Sequence, residues 1–285
     1  MAALFEIVPN ISEGRDPRVI ERAIDAMTAA GVQVIDRTSD PVHHRSVLTA
    51  LGSGSQAVAA AVALAQVVRE QIDLRAHRGA HPRIGALDVL PFVPLRDATL
   101  DDAVTLAHRA AGRIWRELGI PSYLYGAAAS APHRALLADV RRGEFEGLTG
   151  RAIDAKWQFD YGDVAHVSAG AVAIGARPLL VAFNVELASG DLERARTIAR
   201  TLRESSGGLR TLRAIAVRLG AERVQVSFNI TDFEATPVER VTELVRTMAA
   251  RAGIAIARTE LIGLLPEAAL DRAARAYAAQ LRTDT

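Results

Sequence analysis

The feature that most constrains this chain is an order of strand-like and helix-like periods, βαββαβ, that occurs twice along it. In the first pass Leu4 to Val8 reads as a strand. Asp16 to Ala30 reads as a helix with Val19, Ile20, Ala23, Ile24 and Met27 on one face, opened by Asp16 and Pro17 as cap and first turn and ended by Gly31. Val32 to Asp36 and Ser46 to Leu51 follow as strands. Ser55 to Ile72 is a long Ala/Val-rich helix buried over much of its circumference, and Leu87 to Val93 is the closing strand. In the second pass Leu179 to Leu187 is a strand and Leu192 to Leu202 a helix. Thr211 to Leu219 and Val224 to Ile230 are paired strands, Val238 to Ala250 is a helix, Ile254 to Leu264 is a strand, and a last helix runs from Pro266 to near Leu281. The expected fold is therefore α/β of the α+β kind, two ferredoxin-like βαββαβ subdomains over residues 1–177 and 178–285, each a sheet with helices on one face.

Between the two passes the pattern gives a helix from Leu100 to Leu118 and a short strand from Ser122 to Tyr125, after which regularity fails from Ala127 to Gly162. That stretch holds Arg141, Arg142, Gly143 and the aromatic group Trp157, Phe159 and Tyr161. Long irregular segments are usually functional, and ligand sites favour domain junctions, so it is expected to line a cleft between the sheets.

A length of 285 residues suits two domains of this size. The absence of cysteine excludes disulfides, thiolate catalysis, zinc ribbons and iron–sulfur clusters, and leaves any metal site to His, Asp and Glu. Net charge is only +1, with 34 basic and 33 acidic residues, which argues against a nucleic-acid partner. The longest apolar run, Ala57 to Val68, is interrupted by Gln66 and closed by Arg69 and Glu70, short of the roughly 18 residues of a membrane helix. The first residues lack the basic-then-apolar pattern of a signal peptide, so a cytoplasmic location without a membrane partner is expected. Lys156 is the only lysine, which rules out Schiff-base chemistry elsewhere.

The densest chemical signal lies between Asp73 and Gly85, where Arg75, His77, Arg78, His81 and Arg83 fall within nine residues between a helix and a strand. Pro82 and the two glycines give this loop a defined path, and its guanidiniums suit planar carboxylates. A basic surface loop at a helix C-terminus accounts for the same composition. His77 and His81 have the spacing of paired zinc ligands, but Gly79 and Pro82 break the helix such a pair needs, and no metal is expected. His43, His44 and Arg45 stand at a strand entry, facing either a cleft or solvent. Asn10 to Arg15, straight after the first strand, either caps the next helix or offers polar groups to a ligand. In Gly162 to Gly170, small residues with His166 and Ser168 suit a flat heteroaromatic ring, or simply make a connector that runs on to Arg177. There is no GxGxxG after a strand, no Walker loop, no nucleophile elbow and no HExxH.

Taken together, VPNISEGR at 8–15, HRGAHPRIGALDVLPFVPL at 77–95, YLYG at 123–126, GAVAIGAR at 170–177, AFNVEL at 182–187 and SFNITDFEAT at 227–236 resemble the formiminotransferase domain of glutamate formimidoyltransferases, over about Phe5 to Leu270. The cyclodeaminase part of the fused animal enzymes is absent. The resemblance implies two α/β subdomains with a ligand tunnel between them and tetrahydrofolate as co-substrate. It also implies transfer of a formimidoyl group between 5-formimidoyltetrahydrofolate and an amino acid, glutamate, with no metal. It puts the catalytic histidine at His81 and the folate contacts at Gly162, Asp163, Val164, Ala165, His166, Val167, Ser168, Ala169 and Gly170. Beside them Asn10, His44, Arg45, Arg83 and Arg177 are the candidates for holding substrate, Arg45 and Arg83 at the acceptor's carboxylates. A homodimer is the matching expectation for assembly. The chain departs from the family pattern at Ala80, where Glu is usual, and at His43-His44-Arg45-Ser46, where His-Asn-Arg-Thr is common. Those departures keep two alternatives in view, formyl transfer involving 5-formyltetrahydrofolate and formimidoyl transfer to another amine; a third, a non-catalytic binding module, stays open because paired ferredoxin-like units often sense small molecules and fold alone does not imply chemistry.

Overall fold

The structure is a computed structural model, and it describes residues 2–151 and 154–283. The chain divides into two compact units, one ending at Pro178 and the other beginning at Leu179.

The first unit contains β1 (Leu4–Ile7), β2 (Asn10–Ile11), α1 (Pro17–Ala29), β3 (Gln33–Asp40), β4 (Arg45–Gly52), α2 (Gly54–Gln71), β5 (Leu87–Arg96), α3 (Leu100–Leu118), β6 (Ser122–Gly126), α4 (Leu137–Val140), α5 (Glu144–Arg151) and β7 (Val172–Ala176). The expected first strand is β1, and a second short strand, β2, extends its line past the expected end at Val8. β1 and β2 pair with the same neighbours, β4 and β5, and the line is interrupted at Val8 and Pro9, where proline has no N–H to give to a ladder. With that break, β3, β4, β1/β2 and β5 lie side by side in the order of a ferredoxin-like sheet, all antiparallel. The sheet then continues beyond expectation. GAVAIGAR, read above as a connector, is β7, a fully buried strand parallel to both β5 and β6. A strand covered on both faces reads as a continuous apolar run, so this one lacks the alternation that marks an exposed strand.

The helices cover one face. Asp16 caps α1, and capping boxes at Ser53/Gln56 and Thr99/Asp102 open α2 and α3. Ala57, Ala60, Ala61 and Ala65 let α2 approach the sheet and pack against both α1 and α3, in a core with Ile7, Leu48, Leu90 and Phe92. On the opposite face of β5, β7 and β6 the segment 127–162, expected to be irregular, folds into α4, α5 and two single turns. These cover a second core of Val89, Tyr123, Tyr125, Val140 and Leu148. Buried Arg134 ties that segment down, pairing with Asp160 at 2.8 Å and donating to the carbonyls of Lys156 and Gln158.

The second unit contains β8 (Val181–Leu187), α6 (Leu192–Leu202), β9 (Leu212–Arg218), β10 (Val224–Ile230), α7 (Val238–Arg251), β11 (Ile256–Ile262) and α8 (Glu267–Thr283). Its four strands run β11-β8-β10-β9, the same ferredoxin-like order. Val181, Phe183, Val185, Val226 and Phe228 alternate inward against α6 and α7, with the Phe183 and Phe228 rings stacked at 5.1 Å. The intervening residues, among them Asn184, Glu186, Gln225, Ser227 and Asn229, fall on the other face.

Candidate active site

Backbone bonds, and not side chains alone, build the site. The loop after α2 is held at its far end by Ser12, whose hydroxyl donates to the Gly85 carbonyl at 2.7 Å and whose N–H reaches Ala86 O at 2.9 Å. In its middle, Ala80 N–H donates to Val42 O, and Gly79 lies so close to the β3–β4 turn that a Cβ there would stand 2.3 Å from His43 O. The turn 162–170 joins from the third side. Leu74 N–H donates to Ser168 O, Ala86 N–H donates to Ala169 O, and Gly170, at φ +69, pairs with Gly85. The structure thus brings together Asn10 to Arg15, His43 to Arg45, His77 to Arg83 and Gly162 to Gly170. A Cβ on Gly170 would lie 2.1 Å from Ile84 O in a backbone conformation unfavourable to L side chains. Gly170→Ala is therefore expected to lower stability by about 2 kcal/mol or more, measurable as a lower urea midpoint; an unchanged midpoint would contradict the close approach.

Two polar sets diverge from this loop. In the first, His81 Nδ1 faces the Pro82 carbonyl at 2.8 Å, and its Nε2 faces an Nη of Arg45. A carbonyl only accepts and a guanidinium only donates, so the ring carries its proton on Nδ1 and presents the Nε2 lone pair to Arg45: a neutral imidazole. Burial, and after it the charges of Arg45 and Arg141, hold its pKa far below the ordinary imidazole range. His43 meets the same ring edge-on at 6.0 Å and is itself bonded to Asp40. Arg141 is committed to Asp88 through Nε and Nη2, and the other Asp88 oxygen accepts from Ile84 N–H at 2.8 Å. Arg45 has no such commitment. Its Nε is buried without a hydrogen-bond partner among the described residues, as is Thr49 Oγ1 on the same strand and face. Burial first and Arg141 second pull the Arg45 pKa down to about 9, and the guanidinium stays charged at neutral pH.

The second set runs away from His81. His44, at φ +52, stacks on His77 at 4.1 Å with ring planes 6° apart, and bonds Glu13 and Arg78 O. His77 donates from Nε2 to His44 O and accepts on Nδ1 from Arg83 Nε. Arg83 then forks onto Glu146 at 2.7 and 2.8 Å and reaches Glu144 at 3.0 Å. Arg83, expected at an acceptor carboxylate, is here paired with the chain's own Glu144 and Glu146 and joins the loop to the start of α5. His44 likewise belongs to this brace. An open cleft of about 430 Å³ lies on this side, along His77, Arg78, Arg83, Glu144 and Glu146. His77 and His81 fall in different sets, and no trio of His, Asp or Glu is gathered among the described residues.

The other candidates fall as follows. Buried Asn10 donates to Val8 O at 2.7 Å and pairs across the sheet with Val47 and Val89, which puts it on the face that carries Arg45. Arg177 is packed against Tyr125 and Glu6. Burial lowers the Arg177 pKa and raises those of Tyr125 and Glu6, with mutual attraction opposing each shift. In the turn 162–170, His166 Nδ1 accepts the N–H groups of Ser168 and Ala169, while Val164 and Val167 are 64% and 69% exposed. Arg141, Asp88, Tyr125 and Glu6 were not singled out as site residues from the sequence. The one signal for Asp88 is an acid inside the otherwise apolar run LDVLPFV.

His81, His77 and His166 are all held below the ordinary imidazole pKa, chiefly by burial. Unfolding lets each take up a proton near its normal value of about 6.5, so the unfolded chain binds more protons below that pH and stability falls on acidification, by at most about 1.4 kcal/mol per pH unit for each group. Both tryptophans, Trp115 and Trp157, lie in the first unit and report its unfolding. Their urea midpoint is expected to drop from about pH 7.5 to about pH 5.5, and a midpoint that rises would contradict neutral buried imidazoles.

Comparison with known proteins agrees with this architecture. Residues 4–177 match the formiminotransferase domain, N-terminal subdomain, and residues 182–284 match the formiminotransferase domain that follows it. A protein named glutamate formimidoyltransferase from Streptococcus pyogenes is 41% identical over 97% of this chain and 94% of its own length. One of the same name from Thermoplasma acidophilum is 43% identical over 96% of this chain and 92% of its own. The rat formimidoyltransferase-cyclodeaminase is 38% identical over 97% of this chain, which spans 53% of that longer protein. The chain therefore belongs to the formiminotransferase family.

Proposed function

We propose that this protein is a folate-dependent one-carbon transferase that moves a formimidoyl group between 5-formimidoyltetrahydrofolate and L-glutamate, with His81 as its general base. The observation that carries this reading is the neutral His81 imidazole, its Nε2 lone pair turned toward an arginine that makes no ion pair among the described residues, in a chain related over 97% of its length to a glutamate formimidoyltransferase. Bound tetrahydrofolate supplies N5, the nitrogen that carries the one-carbon group.

What the chain's own residues do follows from their chemistry. An amino acid arrives as an ammonium, and its nitrogen attacks only after losing a proton. His81 Nε2 accepts that proton. As the bond from the one-carbon group to the amine forms and its bond to N5 breaks, the imidazolium returns a proton to N5, and the surplus proton on the attacking nitrogen leaves to solvent. A positioned base of this kind contributes about 10²- to 10⁴-fold in rate. The low pKa of His81 leaves its imidazole unprotonated at neutral pH, with the Nε2 lone pair held by Arg45, and the buried Arg45 Nε is an unsatisfied donor for an anionic group. The polar turn 162–170, with exposed Val164 and Val167 flanking His166, suits contact with a flat heterocycle.

Incubating the protein with 5-formimidoyltetrahydrofolate and, in separate arms, L-glutamate or other amines, while following free tetrahydrofolate, tests this function. Release that depends on glutamate is expected. Release with another amine, or with 5-formyltetrahydrofolate only, would replace the substrate assignment, and binding without release would leave a non-catalytic module.

A further inference from the structure

We propose that Arg45 caps the His81 base and gives it up only to an acceptor that carries a carboxylate, so that the substrate uncovers the group that activates it. The inference rests on the reading of His81 as general base and adds to it a residue that sets specificity.

Arg45 Nη lies on His81 Nε2, the only ring nitrogen with a lone pair, so that lone pair is occupied. Another basic residue stands nearby, but it is not equivalent. Arg141 is bound through two nitrogens to Asp88, whose side chain is only 2% exposed, whereas among the described residues Arg45 makes no ion pair. Arg45 also holds a buried Nε without a partner among the described residues, and Thr49 Oγ1, four residues along β4 on the same face, is likewise unsatisfied. A guanidinium in that state is a charge without an ion pair of its own, offset only through space by Asp88, and it keeps an unpaired buried Nε; a planar carboxylate is its complement, since Nε and an Nη can be engaged together. Engagement of those two donors draws the guanidinium off Nε2 and cancels much of the positive charge that suppresses the basicity of His81. The charged and titratable groups around His81 are Arg45 on β4, Arg141 after α4 with Asp88 on β5, and His43 in the β3–β4 turn, with Tyr125 on β6 next to Arg45. Of these, Arg45 alone combines contact with Nε2 and an unpaired donor. An amine without a carboxylate leaves the cap in place, and the enzyme thereby rejects neutral and cationic amines by failing to activate them.

The test is an NMR titration of the His81 ring in the full chain, with and without glutarate, a dicarboxylate that has no amine, and with no folate present. Glutarate is expected to raise the His81 titration by at least about one pH unit, the size of a tenfold change in proton affinity. Propylamine is expected to leave it unmoved. In Arg45→Gln the ring should titrate nearer its ordinary range without glutarate and should no longer respond to it. Where Arg45→Gln does not fold, Arg45→Lys keeps the charge without the planar fork, and the glutarate response should require at least about tenfold more ligand. A His81 titration that glutarate does not move, or moves equally in the Arg45 variant, overturns the proposal. Because the measurement contains no folate, a positive response without transfer activity would count against the transferase reading and leave the cap standing, while transfer without the response would do the reverse.

Discussion

His81→Ala is expected to lower formimidoyl transfer at least about a hundredfold while leaving folate affinity unchanged, the lower end of what a positioned base supplies. The effect should fall on kcat as well as kcat/KM, because the proton is moved in the transition state and not in binding. The alanine also removes the partner of Arg45, so acceptor KM should not rise and is expected to fall, since the guanidinium is released to the carboxylate. Steady-state kinetics with glutamate as the varied substrate reads all three quantities. A rate equal to that of the unaltered protein would take His81 out of the mechanism.

The second large effect is on stability, at Asp88. Its carboxylate pairs with Arg141 and accepts the Ile84 N–H in the strand that carries the site loop back into the sheet. Removing one partner of a buried ion pair leaves the other charged and unpaired, at a cost of about 3–5 kcal/mol. Asp88→Ala is expected to show that loss in a urea titration followed by tryptophan fluorescence. It should also lower activity, because an unpaired Arg141 adds its full charge beside Arg45 and His81. Asp88→Asn preserves an oxygen for Ile84 N–H and should lose less. A midpoint within about 1 kcal/mol of the original in Asp88→Ala, the range of an exposed pair, would show that the pair is not buried as described.

Helix periods and turn residues made most of the architecture legible, since Val19, Ile20, Ala23 and Met27 can bury together only on a helix and alternate residues of β8 and β10 only on strands. The part that was not legible is β7. Its buried run of Ala, Val, Ile and Gly has no polar alternation, and Gly175 is required because a Cβ there would lie 2.6 Å from Tyr125 O, a contact no local pattern announces. The break at Pro9 was visible as a proline, yet pairing on both sides of it is a property of β4 and β5. In the site, the wealth of basic residues between His77 and Arg83 showed where chemistry gathers, but not which cations were already spent. Arg83 finds Glu144 and Glu146 some sixty residues away, and Arg141 finds Asp88 across fifty-three, so only the fold separates the braced guanidiniums from Arg45.

The proposed reaction is direct passage of one carbon from folate N5 to an amine at His81. A single-turnover experiment with 5-formimidoyltetrahydrofolate labelled with ¹³C in the formimidoyl carbon, mixed with the protein and L-glutamate, tests it most directly. Labelled N-formimidoylglutamate is expected to appear at the rate at which free tetrahydrofolate appears, and both rates are expected to collapse together in His81→Ala. Tetrahydrofolate appearing without labelled N-formimidoylglutamate, or label transfer that survives His81→Ala at full rate, would contradict it.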